Sequence, residues 1–223
     1  MLKTTTRRHL LAALFASGAV AACAPAAASA SSGLLGTTLG STVQSVTQTV
    51  SGTNCAQTYA ETTPFSPWAD TNDYRLVPGG SFPMAGSGWT LAAGASIGQS
   101  SNPHQLAGAA GAGALVLTAG STAVSPFSCV DTSQPTVRFM DAGNPQAQLT
   151  VNATFIEPAG LLITLPVGVV SPGASWQPSP ALVDLQAVGG LLDGGAVPMA
   201  LSFHASGGTV DVSDAFVDPR MRS

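Results

Sequence analysis

The residues of this chain that could do chemistry are few and scattered. Gly94-Ala95-Ser96-Ile97-Gly98 has the G-x-S-x-G form of a nucleophile elbow, and Asp184 or Asp193 followed by His204 has the order of a hydrolase triad. An elbow needs a strand before its serine and a helix after it, so that a strained turn lifts the hydroxyl toward a base. Here Gln99-Ser100-Ser101-Asn102-Pro103 follows, which reads as a loop, and with 25 glycines the pattern arises readily by chance. Serine hydrolysis is therefore the remote reading. Paired carboxylates for glycoside cleavage fare no better, because no spacing among Glu61, Asp70, Asp73, Glu157 and the Asp211, Asp214 and Asp218 cluster sets two across a sugar. Asp70, Asp73 and Asp141 sit among turn residues, where acids usually cap backbone N–H groups. No catalytic residue is expected.

Non-covalent binding fits the residue types better. Sugar hydroxyls need donors and acceptors, and the C–H face of a pyranose stacks on an aromatic ring. Arg138, Asn152, His204 and Asp211 fall at the positions of their strands that point away from the core, and Trp68 and Trp176 lie in proline-rich loops where either could be the platform. These six residues are the candidate ligand-binding set; Trp89, on an alternating strand, is assigned to the core. Packing roles compete with binding: Arg138 could pair with Asp211, His204 could be a solvated edge residue, and Trp176 could cap the end of the fold. The partner expected is a polysaccharide or other cell-wall component. The alternative is a structural or adhesive surface protein that contacts other proteins.

These side chains must be positioned by strands. Leu149, Val151, Ala153 and Phe155 alternate with Thr150, Asn152, Thr154 and Ile156, and Val197, Met199, Leu201 and Phe203 alternate with Pro198, Ala200, Ser202 and His204. A period of two is that of a strand with one face on a core. Further strands are predicted at 89–92, 114–118, 122–125, 136–140, 161–165, 182–187 and 209–217, punctuated by turns such as Pro78-Gly79-Gly80 and Ser206-Gly207-Gly208. In the last of them the alternation slips near Asp214, which predicts a bulge. Many short strands without a convincing helix predict an all-β fold, an antiparallel β-sandwich of the jelly-roll type.

The beginning of the chain reads as an export address. Lys3, Arg7 and Arg8 precede an apolar run from Leu10 to Ala22, and Ala28-Ser29-Ala30 supplies a small-x-small cleavage site. Thr6-Arg7-Arg8-His9-Leu10-Leu11 resembles a twin-arginine signal, although paired arginines also occur in ordinary secretory leaders. Val20-Ala21-Ala22-Cys23 resembles a lipobox, which would leave Cys23 lipidated; the cut after Ala30 is favoured because valine is a weaker opener than leucine. The expected organisation is a signal peptide at 1–30, an uncharged Ser/Thr/Gly-rich linker at 31–53, the sandwich at 54–219 and a tail at 220–223. The protein would be secreted or anchored at the cell surface, with no transmembrane segment once the signal is removed.

Composition excludes other classes. Without the signal, Arg75, Arg138, Arg220 and Arg222 stand against eleven acids, a net charge of −7, and no lysine remains. A nucleic-acid footprint, which needs basic groups to displace counterions, is ruled out. Cys55 and Cys129 are left as an even pair in an oxidising compartment, and a disulfide between them is expected. It would close a loop of about 75 residues, worth on the order of 4 kcal/mol by chain entropy.

The segments Tyr74–Phe82 with Gly79-Gly80, Gly88-Trp89-Thr90-Leu91, Pro135–Phe139, Leu165-Pro166-Val167-Gly168, Trp176-Gln177-Pro178 and Val212–Pro219 resemble a group of secreted actinobacterial β-sandwich proteins to which no activity is attached. Their form is similar to the jelly-roll, galactose-binding-like carbohydrate-binding modules. The resemblance covers about residues 54–219 and implies the fold more strongly than any function. Such modules often hold a structural calcium between an acid after the early Phe and the first Asp of the late strand. Those places are Pro83 and Ser213 here, so two hard-oxygen ligands are missing and Asp211, Asp214 and Asp218 alone make a poor cage; no cofactor is expected, with a structural calcium as the lesser alternative.

Overall fold

The computed structural model describes residues 60–108, 113–130, 136–157, 160–183 and 196–217. The export address, the 31–53 linker, Cys23, Cys55, Asp184, Asp193, Asp218 and the 220–223 tail lie outside the described residues, as do positions 184–187 of one predicted strand.

Fourteen strands are described: β1 (Glu61–Thr62), β2 (Tyr74–Leu76), β3 (Thr90–Ala92), β4 (Ser96–Gln99), β5 (Gly113–Leu117), β6 (Thr122–Val124), β7 (Ser128–Val130), β8 (Thr136–Gly143), β9 (Gln148–Ile156), β10 (Leu162–Val170), β11 (Gln177–Pro178), β12 (Leu182–Val183), β13 (Val197–Ser206) and β14 (Val210–Val217). One turn of 3-10 helix, Ser66–Trp68, interrupts them. They form two antiparallel sheets. In the first, β14 lies between β8 on one side and β5 and β2 on the other, with β4 and β1 beyond and β11 and β12 along β8. The second runs β10-β9-β13-β6-β3, with β7 also on β13. The protein is an antiparallel β-sandwich of the jelly-roll type.

Alternation builds the core. Leu149, Val151, Ala153 and Phe155 of β9 and Val197, Met199, Leu201, Phe203 and Ala205 of β13 are buried against Val137 and Phe139 of β8, Leu115 and Leu117 of β5, and Val210, Val212, Ala215 and Val217 of β14. Trp89 belongs to this core, its ring tilted against Phe82 and Phe203 and its Nε1–H donated to the Pro78 carbonyl at 3.1 Å. Arg75 reaches from β2 to donate to the Cys129 carbonyl on β7, tying the two sheets. Cys129 is buried there.

The bulge forms where the alternation slips. The β14–β8 register shifts between Ser213 and Phe216, and Asp214 takes a left-handed φ of 53°. After the slip Ala215 and Val217 face the core while Phe216 faces outward. Five short strands, β1, β2, β4, β7 and β11, were not evident as strands in the sequence. They have four residues or fewer, and although β3 and β6 are as short and were legible, alternation has little room to register at that length. Gln99, read as loop, closes β4, and β10 runs on to Val170 through a register shift at Pro166.

Candidate functional site

A second, smaller apolar cluster covers the outer face of the first sheet. Phe65, Tyr74, Met140 and Phe216 are buried there, with Trp68, Leu76, Leu106, Ala107 and Trp176 packed around them. Phe65 meets Tyr74 and Phe216 edge-on, with centroids at 5.0 and 5.7 Å. The 63–74 segment is held over the sheet by Pro67 early in its 3-10 turn and by Asp70, whose carboxylate accepts from the Asn72 N–H at 3.1 Å and the Tyr74 hydroxyl at 2.6 Å.

Arg138 lies beneath this cover, with two of its three nitrogens engaged. Its Nη1 forms the ion pair with Asp70, its Nε donates to the Ser179 carbonyl at 3.0 Å, and its guanidinium sits 4.7 Å from the Phe65 ring centroid. Burial acts to raise the Asp70 carboxyl, but the Tyr74 hydroxyl, the Asn72 N–H and the Arg138 guanidinium together hold it below the usual carboxylate range. Burial, then the Asp70 acceptor, push the Tyr74 phenol up to about 12. Arg138 thus pairs with Asp70, not with Asp211, and acts as a fastener between the cover and the sheet.

The six candidate residues do not share one surface. Arg138 and Asp211 face outward from the first sheet, Asp211 opposite Val116 and Ala142, half-buried, with burial raising its carboxyl. Asn152 and His204 face outward from the second sheet, where Asn152 is flanked by Ser202 and Pro166 and His204 Nδ1 lies 3.1 Å from Thr122 Oγ1. Each side chain does point away from the core, as alternation requires; alternation carries no information on which sheet a strand joins. Ser96 is on β4 of the first sheet, inside a strand after a left-handed Ala93-Gly94 turn, with no helix following. Ser96 and His204 therefore lie on opposite sheets and form no nucleophile–base pair.

Trp68 and Trp176 are brought to one feature, the loop of residues 100–108. The Trp68 ring meets His104 edge-on at 4.8 Å, and Trp176 Nε1–H donates to Ser101 Oγ at 2.9 Å. Both indoles are half-buried, and Ser101, His104 and Gln105 are exposed. The loop is built on a polar scaffold. Asn102 is buried; its N–H donates to Ser100 Oγ and its Oδ1 accepts from the His104 N–H, both at 3.0 Å. Asp214, on the β14 bulge, accepts from Leu106 N–H at 3.3 Å and Ala107 N–H at 3.1 Å. Neither His104 nor Asn102 stood out in the sequence. The Ser-x-Asn-x-His spacing is the only local signal, and their anchor lies more than a hundred positions along the chain.

This scaffold also bears on calcium. At Ser213 the hydroxyl accepts from Asn102 Nδ2 at 2.7 Å, and the groups around Asp214 are N–H and amide donors. A cation needs a cage of oxygen acceptors, which these donors do not offer. Among the described residues no group of three or more His, Cys, Asp or Glu could hold a metal ion. What the rim offers is two indoles, an imidazole and hydroxyl and amide groups.

No protein-family model matches the chain, and no curated protein matches it. Solved structures do. The CBM22-1–GH10 modules of Clostridium thermocellum endo-1,4-beta-D-xylanase 10B, complexed with xylohexaose, superpose over 59% of this chain and 26% of theirs, with 11% identity and a TM-score of 0.41. The enzymatically active domain of bacteriophage CBA120 tailspike protein 4 superposes over 62% and 20%, with 16% identity and a TM-score of 0.43. The CBM61 module TmCBM61, in complex with beta-1,4-galactotriose, superposes over 60% and 90%, with 12% identity and a TM-score of 0.38. The chain thus spans about a quarter or less of the first two. The sandwich described above rests on its own strand pairing.

Proposed function

We propose that this protein is a non-catalytic carbohydrate-binding protein that works outside the cytoplasm, and that its contact surface is the aromatic rim formed by Trp68, His104 and Trp176 around the 100–108 loop. The observation that carries the reading is the convergence of both loop tryptophans on one loop whose exposed side chains include the hydrogen-bonding groups of Ser101, His104 and Gln105. That pairing of ring surface with hydrogen-bonding groups suits pyranose rings. Charge agrees, since Arg138 neutralises Asp70 beneath the rim. Asn152 and His204, on the other sheet, have no aromatic partner among the described residues and are solvated face residues in this reading.

Calorimetric titration with xylohexaose, beta-1,4-galactotriose and cellobiose tests the proposal. Binding of at least one, weakened about tenfold or more by Trp68→Ala or Trp176→Ala, is the expected result; no binding at millimolar sugar overturns it. Membership of the secreted actinobacterial group, export and the Cys55–Cys129 disulfide belong to the same reading. Intact mass of the exported protein separates a Ser31 start from a diacylated Cys23 start.

A second reading, adhesion to other proteins, draws on β10. Val169 on this edge strand and Leu161 just before it are 58% and 62% exposed. Val169→Asp would abolish cell attachment under that reading and leave sugar binding intact under the first.

A further inference from the structure

The 100–108 loop hangs on one side chain. Asp214 is 2% exposed and takes a left-handed backbone, which a β-carbon disfavours and glycine does not. Its carboxylate accepts from the Ala107 N–H at 3.1 Å, the Leu106 N–H at 3.3 Å, Asn102 Nδ2 at 3.2 Å and Ser213 Oγ at 3.2 Å. Asn102 passes the restraint on, because its Oδ1 fixes the His104 N–H and its amide also reaches Ser213. The bulge cannot drift either. Ala215 N–H donates to the Gly80 carbonyl at 3.0 Å and its carbonyl accepts from the Val77 N–H at 2.9 Å. A β-carbon at Gly80 would come within 2.6 Å of that same Ala215 oxygen. Both ends of the rim follow from this, since Ser101 holds Trp176 and His104 holds Trp68.

We propose that Asp214 is a positioning residue: a latch on the β14 bulge that, through Asn102 and the Leu106 and Ala107 amides, fixes the 100–108 loop and with it the aromatic rim. The proposal rests on the rim being the binding surface only for its consequence, not for the latch itself. A carboxylate suits this place because the loop turns several donors inward at one point, and two oxygens with four lone pairs satisfy them together. Asn or Ser at this position would leave at least one buried N–H without a partner.

Asp214→Gly is the informative variant, because it removes the carboxylate while suiting the left-handed backbone, so the sandwich is retained. The expected result is a loss of amide-exchange protection at Leu106 and Ala107 of about tenfold or more, with the β9 and β13 amides unchanged, and a red shift of tryptophan emission. Asn102→Ala is expected to reproduce both signatures. Unchanged protection at Leu106 and Ala107, or a loss spread equally over β9 and β13, overturns the latch. Sugar titration of the same variants separates the two ideas. If Trp68→Ala weakens binding and Asp214→Gly loosens the loop without weakening it, the latch does not position the rim. If Trp68→Ala and Trp176→Ala have no effect on binding, the rim reading fails, and the exchange and emission data still decide the latch.

Discussion

Two carboxylates show how burial alone does not decide a residue's role. Asp70 and Asp141 both read as turn acids in the sequence, yet Asp141 is 0% exposed and neither of its oxygens closes a well-formed hydrogen bond. Burial pushes its carboxyl up to about 6, against the smaller opposing influence of the Gln177 amide and the Gly173 N–H. A carboxyl raised in the folded state is comfortable while protonated; its contribution to stability is present below the unfolded value of 3.8 and lost as pH rises through about 6. Asp141→Asn should therefore stabilise the protein at pH 7.5 by on the order of 2 kcal/mol and by much less at pH 4, read from urea unfolding at the two pH values. Arg138 makes the contrasting case. Arg138→Ala strands Asp70 and empties the space over Phe65, and should cost about 2 kcal/mol in the same experiment while leaving sugar affinity unchanged. A large affinity loss without destabilisation would restore Arg138 as a ligand residue.

At the scale of elements, the longest strands were the most legible, although β3 and β6, of three residues each, were legible too. β9, β13 and β14 were plain in the sequence because eight to ten residues give alternation room to repeat, and even the β14 bulge was visible as a slip near Asp214. The short strands β1, β2, β4, β7 and β11 exist because neighbours supply the ladder, which is tertiary information. The site failed to be legible for a related reason. Alternation assigns a side chain to the inside or outside of its own strand, so Arg138 and Asn152 looked equivalent, whereas pairing sends β8 to one sheet and β9 to the other. The Pro78-Gly79-Gly80 turn was legible as a turn but not as a packing contact. Gly79 has a φ of 67°, and a β-carbon there would run into the Ser87 carbonyl. Gly79→Ala should lower stability by about 3 kcal/mol or prevent folding, measured by thermal unfolding of the purified protein.

For the whole molecule, composition constrained the expected partners better than any motif: an acidic balance with few basic residues argues against a nucleic-acid partner, and the rim carries no carboxylate or guanidinium of its own. The proposed link between Cys55 and Cys129 would tie the lead-in of the sandwich to β7, where Arg75 already fastens one sheet to the other. Thiol titration of the exported, denatured protein should find neither cysteine free, and replacing both with alanine should cost about 4 kcal/mol. Chelation by EDTA should leave the melting temperature unchanged, because donors surround Asp214.

The place of β14 in the first sheet governs the order in which that sheet can be made. It is the last of the described strands, and β2, β5 and β8 all pair with it. A chain emerging from its N-terminal end, whether from a ribosome or through an export pore, can pair β2 with β1, β5 with β4 and β8 with β11 and β12, but one edge of each of those three strands stays open until residues 210–217 arrive. The pieces of the first sheet are therefore joined only in a late step dominated by contacts between distant parts of the chain. A polypeptide halted before β14 would display open strand edges, a substrate for holding chaperones and proteases rather than a partly working protein.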